Sequence, residues 1–205
     1  MGDGGPAVKA HLNMPSDVAL APNGDIYIAD MHHNRIRKID ARTRTITTVA
    51  GNGHWGDTGD NGPAMQATLA GPAGVAVVPD GTGRLTIFIA DYYNGKVRAV
   101  GPDGIIRDVS DADKQAFGAP TRVAFGVTRS GGWLYVTDSS KDRLVALDVT
   151  KIAPSLVPPS PQRSPLLPAP RPGTTTTPPT PRPAQTPAPP AAQPPVAGLG
   201  VRIGG

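Results

Sequence analysis

The chain has 205 residues, no cysteine and no glutamate, and its formal net charge of +4 resides entirely in residues 153–205. Disulfides, thiolate metal sites, cysteine nucleophiles and any mechanism built on a glutamate are therefore excluded. Residues 1–152 balance sixteen basic against sixteen acidic side chains, every acid an Asp, so the basic whole is no argument for nucleic acid. Asp favours turns over helices, and with 25 glycines the composition is that of short strands joined by tight turns. No apolar run approaches the roughly 20 residues of a membrane span.

The start, Met1-Gly2-Asp3-Gly4-Gly5-Pro6, lacks the basic residues and apolar stretch of a signal peptide. Residues 2–12 read GDGGPAVKAHL and return at 59–69 as GDNGPAMQATL, an offset of 57. The offset holds from Pro15 and Pro72 to Gly24 and Gly81. An insertion near Thr82–Leu85 lengthens it to 61, which pairs IYIAD (26–30) with IFIAD (87–91). A third copy places LYVTD at 134–138. NRIRKI (34–39), GKVRAV (95–100) and DRLVAL (142–147) share a basic second position and an apolar third. A repeat of this length marks a stacked array.

In chain order the first copy predicts strands at Asp17–Ala21, Asp25–Asp30, Arg35–Asp40 and Thr45–Ala50. The second predicts Gly74–Val78, Thr86–Asp91, Lys96–Val100 and Ile105–Val109. The third predicts Arg122–Val127, Trp133–Asp138 and Arg143–Val149, with no fourth strand. Pro-Asn-Gly and Pro-Asp-Gly supply the turns. VALA, IYIA, VAVV and IFIA are apolar on both faces, as expected of sheets covered on both sides in a β-propeller. The expected architecture is all-β: a partial propeller of three four-stranded antiparallel blades at about 11–67, 68–115 and 116–152. A disordered Pro/Ala/Thr-rich tail at 153–205 follows. That tail holds 17 of the 25 prolines and a PxxP at Pro165–Pro168, and it reads as a low-complexity spacer. Its Thr-Pro clusters suit an exported or cell-surface parent, but no compartment follows from the chain itself.

The pattern Pro-x-x-Val-Ala, Gly-x-Ile-Tyr-Ile-Ala-Asp, Asn-x-Arg-Ile-Arg resembles the NHL repeat, and AGNGHWGDTGDNGPAMQATLAGP is similar to its glycine-rich connector. The third copy departs, with Thr137 for Ala and Val145 for the second Arg. NHL propellers usually have about six blades, so the resemblance implies half a ring. Either a longer chain or a second copy would complete it.

Strands of an antiparallel meander alternate in direction, so loops after the second and fourth strands open on one face. That face is expected to hold His32, His33, Asn34, Tyr92, Tyr93, Asn94 and Lys141, with His54 and Trp55 from the connector. These residues are the candidates for partner binding. Asp30, Asp91 and Asp138 recur at strand ends and are expected to accept hydrogen bonds from backbone N–H groups of the following turn. Arg35, Lys96 and Arg143 recur on the third strand, followed in the first two copies by Arg37 and Arg98. Stems covering the next blade, with charges paired to Asp, are favoured over a basic stripe for RNA. His32, His54, Asp57 and Asp60 are weak metal candidates, because zinc wants three or four convergent ligands. No cofactor is expected, and no nucleophile or phosphate-loop motif is present. The expected function is a non-catalytic module binding protein or small ligand. A remnant of a metal-dependent propeller lactonase or lyase is the alternative, and RNA binding the second.

Overall fold

The computed structural model describes residues 1–80, 82–109, 116–128 and 131–149. The Pro-rich segment 153–205 lies outside them. Among the described residues eleven strands form three antiparallel sheets. Blade 1 contains β1 (Pro15–Leu20), β2 (Ile26–Asp30), β3 (Arg35–Ile39) and β4 (Ile46–Ala50) in sequential order. Blade 2 repeats this with β5 (Pro72–Pro79), β6 (Leu85–Asp91), β7 (Lys96–Val100) and β8 (Ile106–Asp108). Blade 3 has β9 (Pro120–Thr128), β10 (Gly131–Asp138) and β11 (Arg143–Asp148) among the described residues.

The inner strands begin two residues before the expected positions, at Pro15, Pro72 and Pro120. Each proline pairs with the Asp that ends the second strand, across a register shift beside that pair. A proline is tolerated there because the first residue of a strand can do without its N–H. The loop after each second strand is a single 3-10 turn: Met31–His33, Tyr92–Asn94 and Ser139–Lys141. Each turn closes on a left-handed residue, Asn34, Gly95 or Asp142, of the kinds that tolerate positive φ.

Side chains alternate, so each blade has two apolar faces, and neighbouring blades pack face to face. Tyr27, Ala29 and Ile36 of blade 1 meet Val75, Ile87, Ile89 and Val100 of blade 2. Phe88, Ala90 and Val97 of blade 2 meet Val123, Leu134, Val136 and Val145 of blade 3. Each fully buried Leu, Ile or Phe contributes about 1.5–3 kcal/mol. Contact is closest at Gly74, where a Cβ would lie 2.7 Å from the Thr121 carbonyl oxygen and 2.9 Å from the Arg122 Cα.

The repeated Asp residues are fully or almost fully buried. Their backbone hydrogen bonds reach back to the chain entering the blade, while the following turn contributes side chains instead: His33 on Asp30, Asn94 on Asp91 and Ser140 on Asp138. Asp30 Oδ1 accepts from the Asn13 N–H at 2.8 Å, and Asp91 Oδ1 from the Ala70 N–H at 2.8 Å. Asp138 Oδ1 accepts from the Ala119 N–H at 2.9 Å. The second oxygen of each takes a guanidinium: Arg37 at 3.1 Å, Arg98 at 3.4 Å and Arg143 at 3.1 Å. Buried charges persist only when paired and hydrogen-bonded, which these are.

Arg37 and Arg98 have no exposed surface. The glycine-rich straps hold further nitrogens of each, while the buried Arg37 Nε makes no hydrogen bond. Arg37 donates to Asp3 at 2.6 Å, and Arg98 donates to Asp60 through Nε at 3.0 Å and through a terminal nitrogen at 2.8 Å. Residues 2–12 lie on blade 1 as residues 59–69 lie on blade 2. Gly4 N–H donates to Ile46 as Asn61 N–H donates to Ile106, and Pro6 bridges Thr45 as Pro63 bridges Ile105. Each strap covers the edge of its outermost strand, which would otherwise present unpaired backbone groups.

In blade 3 the arrangement shifts. Val145 takes the position of Arg37 and Arg98 and packs into the core, while Arg143, two residues earlier and partly exposed, reaches Asp138 instead. Burial pushes the Asp138 carboxyl up, but the Ala119 and Gly118 N–H groups and Arg143 outweigh it and hold the group below its ordinary 3.8.

Three outcomes follow for equilibrium urea unfolding. Gly74→Ala is expected to cost about 1–3 kcal/mol through overpacking. Arg98→Ala, which strands two carboxylates, is expected to cost about 3–5 kcal/mol, and Arg143→Ala less because Arg143 is itself partly exposed and Asp138 keeps the Gly118 and Ala119 N–H groups. The depressed Asp138 group stabilises the fold above 3.8, and this contribution is lost as pH falls through its folded value. Asp138→Asn is therefore expected to reduce the loss of stability between about pH 5 and pH 3.

Candidate functional site

The three 3-10 turns and the connector between blades 1 and 2 share one face. The connector is pinned there by side chains from both blades. Arg35 donates to the Asn52 carbonyl at 2.7 Å, and the Asn34 side-chain oxygen accepts from the Gly71 N–H at 2.9 Å. Asn94 donates to the Gly56 carbonyl and to Asp91, each at 2.8 Å, and Lys96 reaches Asp57 at 2.9 Å. Burial opposes the charge of Lys96, but the Asp57, Asp108 and Asp60 carboxylates outweigh it and raise its pKa above the ordinary 10.5.

On this scaffold stands an aromatic cluster. Trp55 of the connector contacts Tyr93 with ring centroids 4.6 Å apart, and Tyr93 meets Tyr92 edge to face at 4.7 Å. Both distances suit favourable aromatic contact. Trp55 remains 61% exposed and Tyr93 57% exposed. Gly71, at φ +60°, lies beneath: a Cβ there would stand 2.6 Å from the Tyr93 ring and 3.5 Å from the methyl carbon of Met31. The platform therefore gathers residues from two blades and the connector joining them.

Residues 12–39 match the model of the NHL repeat. That segment carries an NHL repeat. The chain is 32% identical over 96 residues to the protein SUPPRESSOR OF QUENCHING 1, chloroplastic, of Arabidopsis thaliana. That match covers 47% of this chain and 8% of the plant protein, so it spans only a small part of that relative's length. Two solved structures share this chain's fold. One is an auxiliary nutrient binding protein from Bacteroides ovatus, with a TM-score of 0.51 and 18% identity over 64% of this chain and 37% of that chain. The other, an auxiliary nutrient binding protein from Bacteroides thetaiotaomicron, has a TM-score of 0.52 and 17% identity over 63% of this chain and 36% of that one.

Hydrogen bonding and exposure separate the candidates of the connector face into two groups. Asn34, Asn94 and Lys141 hold the scaffold, Lys141 by donating to the Ala116 carbonyl at 2.7 Å. His33 is also engaged, with Nδ1 2.9 Å from Asp30. His32, His54, Trp55 and Tyr93 are exposed, and Tyr92 is half-buried beside them. The four weak metal candidates do not form a ligand set. Asp57 is taken by Lys96 and Asp60 by Arg98, and among the described residues no group of three or more His, Asp, Glu or Cys is arranged to hold an ion. Of the third-strand cations, Arg37 and Arg98 are buried, while Arg35, Lys96 and Arg143 are half-buried and engaged with the connector or with Asp138.

The opposite face holds a feature the sequence reading passed over. A cleft of about 750 Å³ lies between blades 1 and 2, with Asp25, Tyr27, Lys38, Arg84 and Asp103 among its walls. Its charges are paired locally, Lys38 with Asp25 at 3.6 Å and Arg84 with Asp80 at 3.1 Å. Burial, with Asp25 alongside, raises the Tyr27 phenol above its ordinary 10.0. The insertion near Thr82–Leu85 was the one sequence signal that this face is not uniform.

The aromatic pair is expected to be dispensable for folding. Tyr93→Ala should shift Trp emission to longer wavelength by uncovering Trp55, while changing the urea unfolding free energy by no more than about 0.5–1 kcal/mol, as surface changes do.

Proposed function

We propose that this chain is a non-catalytic binding module whose contact surface is the connector face, centred on Trp55 and Tyr93 with His32, His54 and Tyr92 at its margin. The observation that carries the reading is an exposed Trp–Tyr pair on a scaffold tied down by Arg35, Asn34, Asn94 and Lys96. Exposed aromatic side chains held rigidly lose little entropy on binding, and Trp and Tyr dominate measured hot spots. The partner is a protein or a small ligand. The two solved chains of the same fold are themselves named as nutrient binding proteins.

The disposition of charge supports a role without chemistry. A general acid or base must reach a substrate. Asp30, Asp91 and Asp138 instead face inward and are committed to backbone N–H groups and guanidinium ions. The same burial speaks against RNA, whose recognition rests on cations that reach phosphates.

Immobilised full-length chain and its Trp55→Ala/Tyr93→Ala double variant, exposed to the same cell extract, provide the test. Partners retained by the wild type are expected to be lost from the double variant, each hot-spot residue costing about 2 kcal/mol or more. Equal retention by both proteins, measured by quantitative mass spectrometry, would remove the connector face from the reading.

A further inference from the structure

The junction between blades 2 and 3 is sealed. Phe88 and Ala99, opposite each other in register, pack with Val78 in one buried cluster with Leu134 and Leu147, which are also in register. The junction between blades 1 and 2 holds different residues at the same places of the repeat. Tyr27 and Lys38 stand where Phe88 and Ala99 stand, Ala21 replaces Val78, and Ile87 and Val100 replace the two leucines. A hydroxyl and an amine on a long stem have thus entered core positions, and a branched side chain has shrunk to a methyl. The cleft of about 750 Å³ lies at these residues, within the roughly 300–1,000 Å³ of small-molecule sites. Blades 1 and 2 and the strap between them supply its walls, so it is complete within the described residues.

Its polar groups are left unfilled. Tyr27 is only 5% exposed, yet its hydroxyl has no hydrogen-bond partner among the described residues. A buried polar group without a partner is costly, and Phe88 shows that the fold does not need it. Burial raises the phenol above its ordinary 10.0, so it is a donor at neutral pH. Lys38 Nζ stands 3.6 Å from Asp25, close enough to balance charge but too far for a hydrogen bond. Asp25 already accepts from the Asn23 side chain and from the Ala41 N–H. The other charges of the rim are balanced too, Arg84 by Asp80 and Asp103 by Arg107. Two neighbouring donors therefore lack acceptors in a site that carries no net charge.

We propose that the cleft between blades 1 and 2 binds a small uncharged carbonyl compound with an apolar body. The carbonyl oxygen, with two lone pairs, accepts from the Tyr27 hydroxyl and from Lys38 Nζ. The apolar body lies against Val49, Ile87 and Val100. An anion would add an unbalanced charge beside Asp25, and a hydrocarbon would leave both donors unmet. This site is on the face opposite Trp55 and does not depend on the connector-face reading.

Prepared full-length chain is titrated with prodan, an uncharged naphthyl ketone whose emission moves to shorter wavelength in an apolar site. Wild type is expected to bind it, with nuclear Overhauser contacts to the Tyr27 ring and the Val100 methyls. Tyr27→Phe and Lys38→Met are each expected to weaken binding about fivefold, the worth of one ordinary hydrogen bond. The parent dimethylnaphthylamine, which lacks the ketone, and the anion anilinonaphthalene sulfonate should both bind more weakly than prodan. Ala21→Val/Tyr27→Phe/Lys38→Ala rebuilds the sealed junction, and it should abolish binding without lowering the unfolding midpoint. Absence of prodan binding, equal affinity in the Phe and Met variants, tighter binding of either control compound, or contacts confined to other residues would each overturn the proposal.

Discussion

A carboxylate with no access to water sits at the end of the second strand of every blade, and the rest of the structure is arranged around satisfying it. One oxygen accepts a backbone N–H from the segment entering the blade, and the other accepts a guanidinium. Removing water from an ion costs several kcal/mol, so each partner is obligatory and the geometry is narrow. The inner strand is thereby fixed against the second strand at its proline. The 3-10 turn begins at the same residue. In the first two blades the guanidinium is held from its far side by the Asp of a strap. One charged pair therefore sets the inner strand, the turn and the strap together.

The candidate surface inherits its rigidity from that arrangement. Tyr92 and Tyr93 follow directly on Asp91, and Asn94, the last residue of their turn, donates to Asp91 and to the connector. Trp55 is placed by a connector whose beginning and middle are fastened by Arg35 and Asn94. The exposed rings are thus the ends of a series of hydrogen bonds that begins in the core. The cleft on the opposite face has no such support, and its charges are settled by pairs within one blade.

Much of the fold was legible because its signals are local. IYIAD, IFIAD and LYVTD mark second strands, and Pro-Asn-Gly and Pro-Asp-Gly mark the turns before them. The grouping of the 3-10 turns with the connector on one face followed from strand direction alone. What escaped was every interaction whose partners lie far apart in sequence. Asp30 finds its N–H donor at Asn13, not in its own turn, and Trp55 finds Tyr93 in the next blade. The burial of Arg37 and Arg98 was only half legible. Pairing of the basic stems to Asp could be expected, yet nothing local in the sequence marks Asp3 and Asp60, which recur at the offset of 57, as the counter-charges. In blade 3 the shift from the second basic position to the first was visible as Val145, but its remedy through Arg143 needed three dimensions.

The straps carry a consequence for how such a chain changes over generations. Asp3 binds Arg37 and Thr48, and Asp60 binds Arg98, so the chain before each of the first two blades is fastened to that blade's own late strands. Each of these blades is in effect a closed loop of some tens of residues, bounded by its own strap and its own outer strand. A gene segment encoding such a loop can be duplicated, lost or exchanged without leaving a half-made sheet behind. The repeat seen in the sequence is therefore also the unit in which the number of blades can be varied.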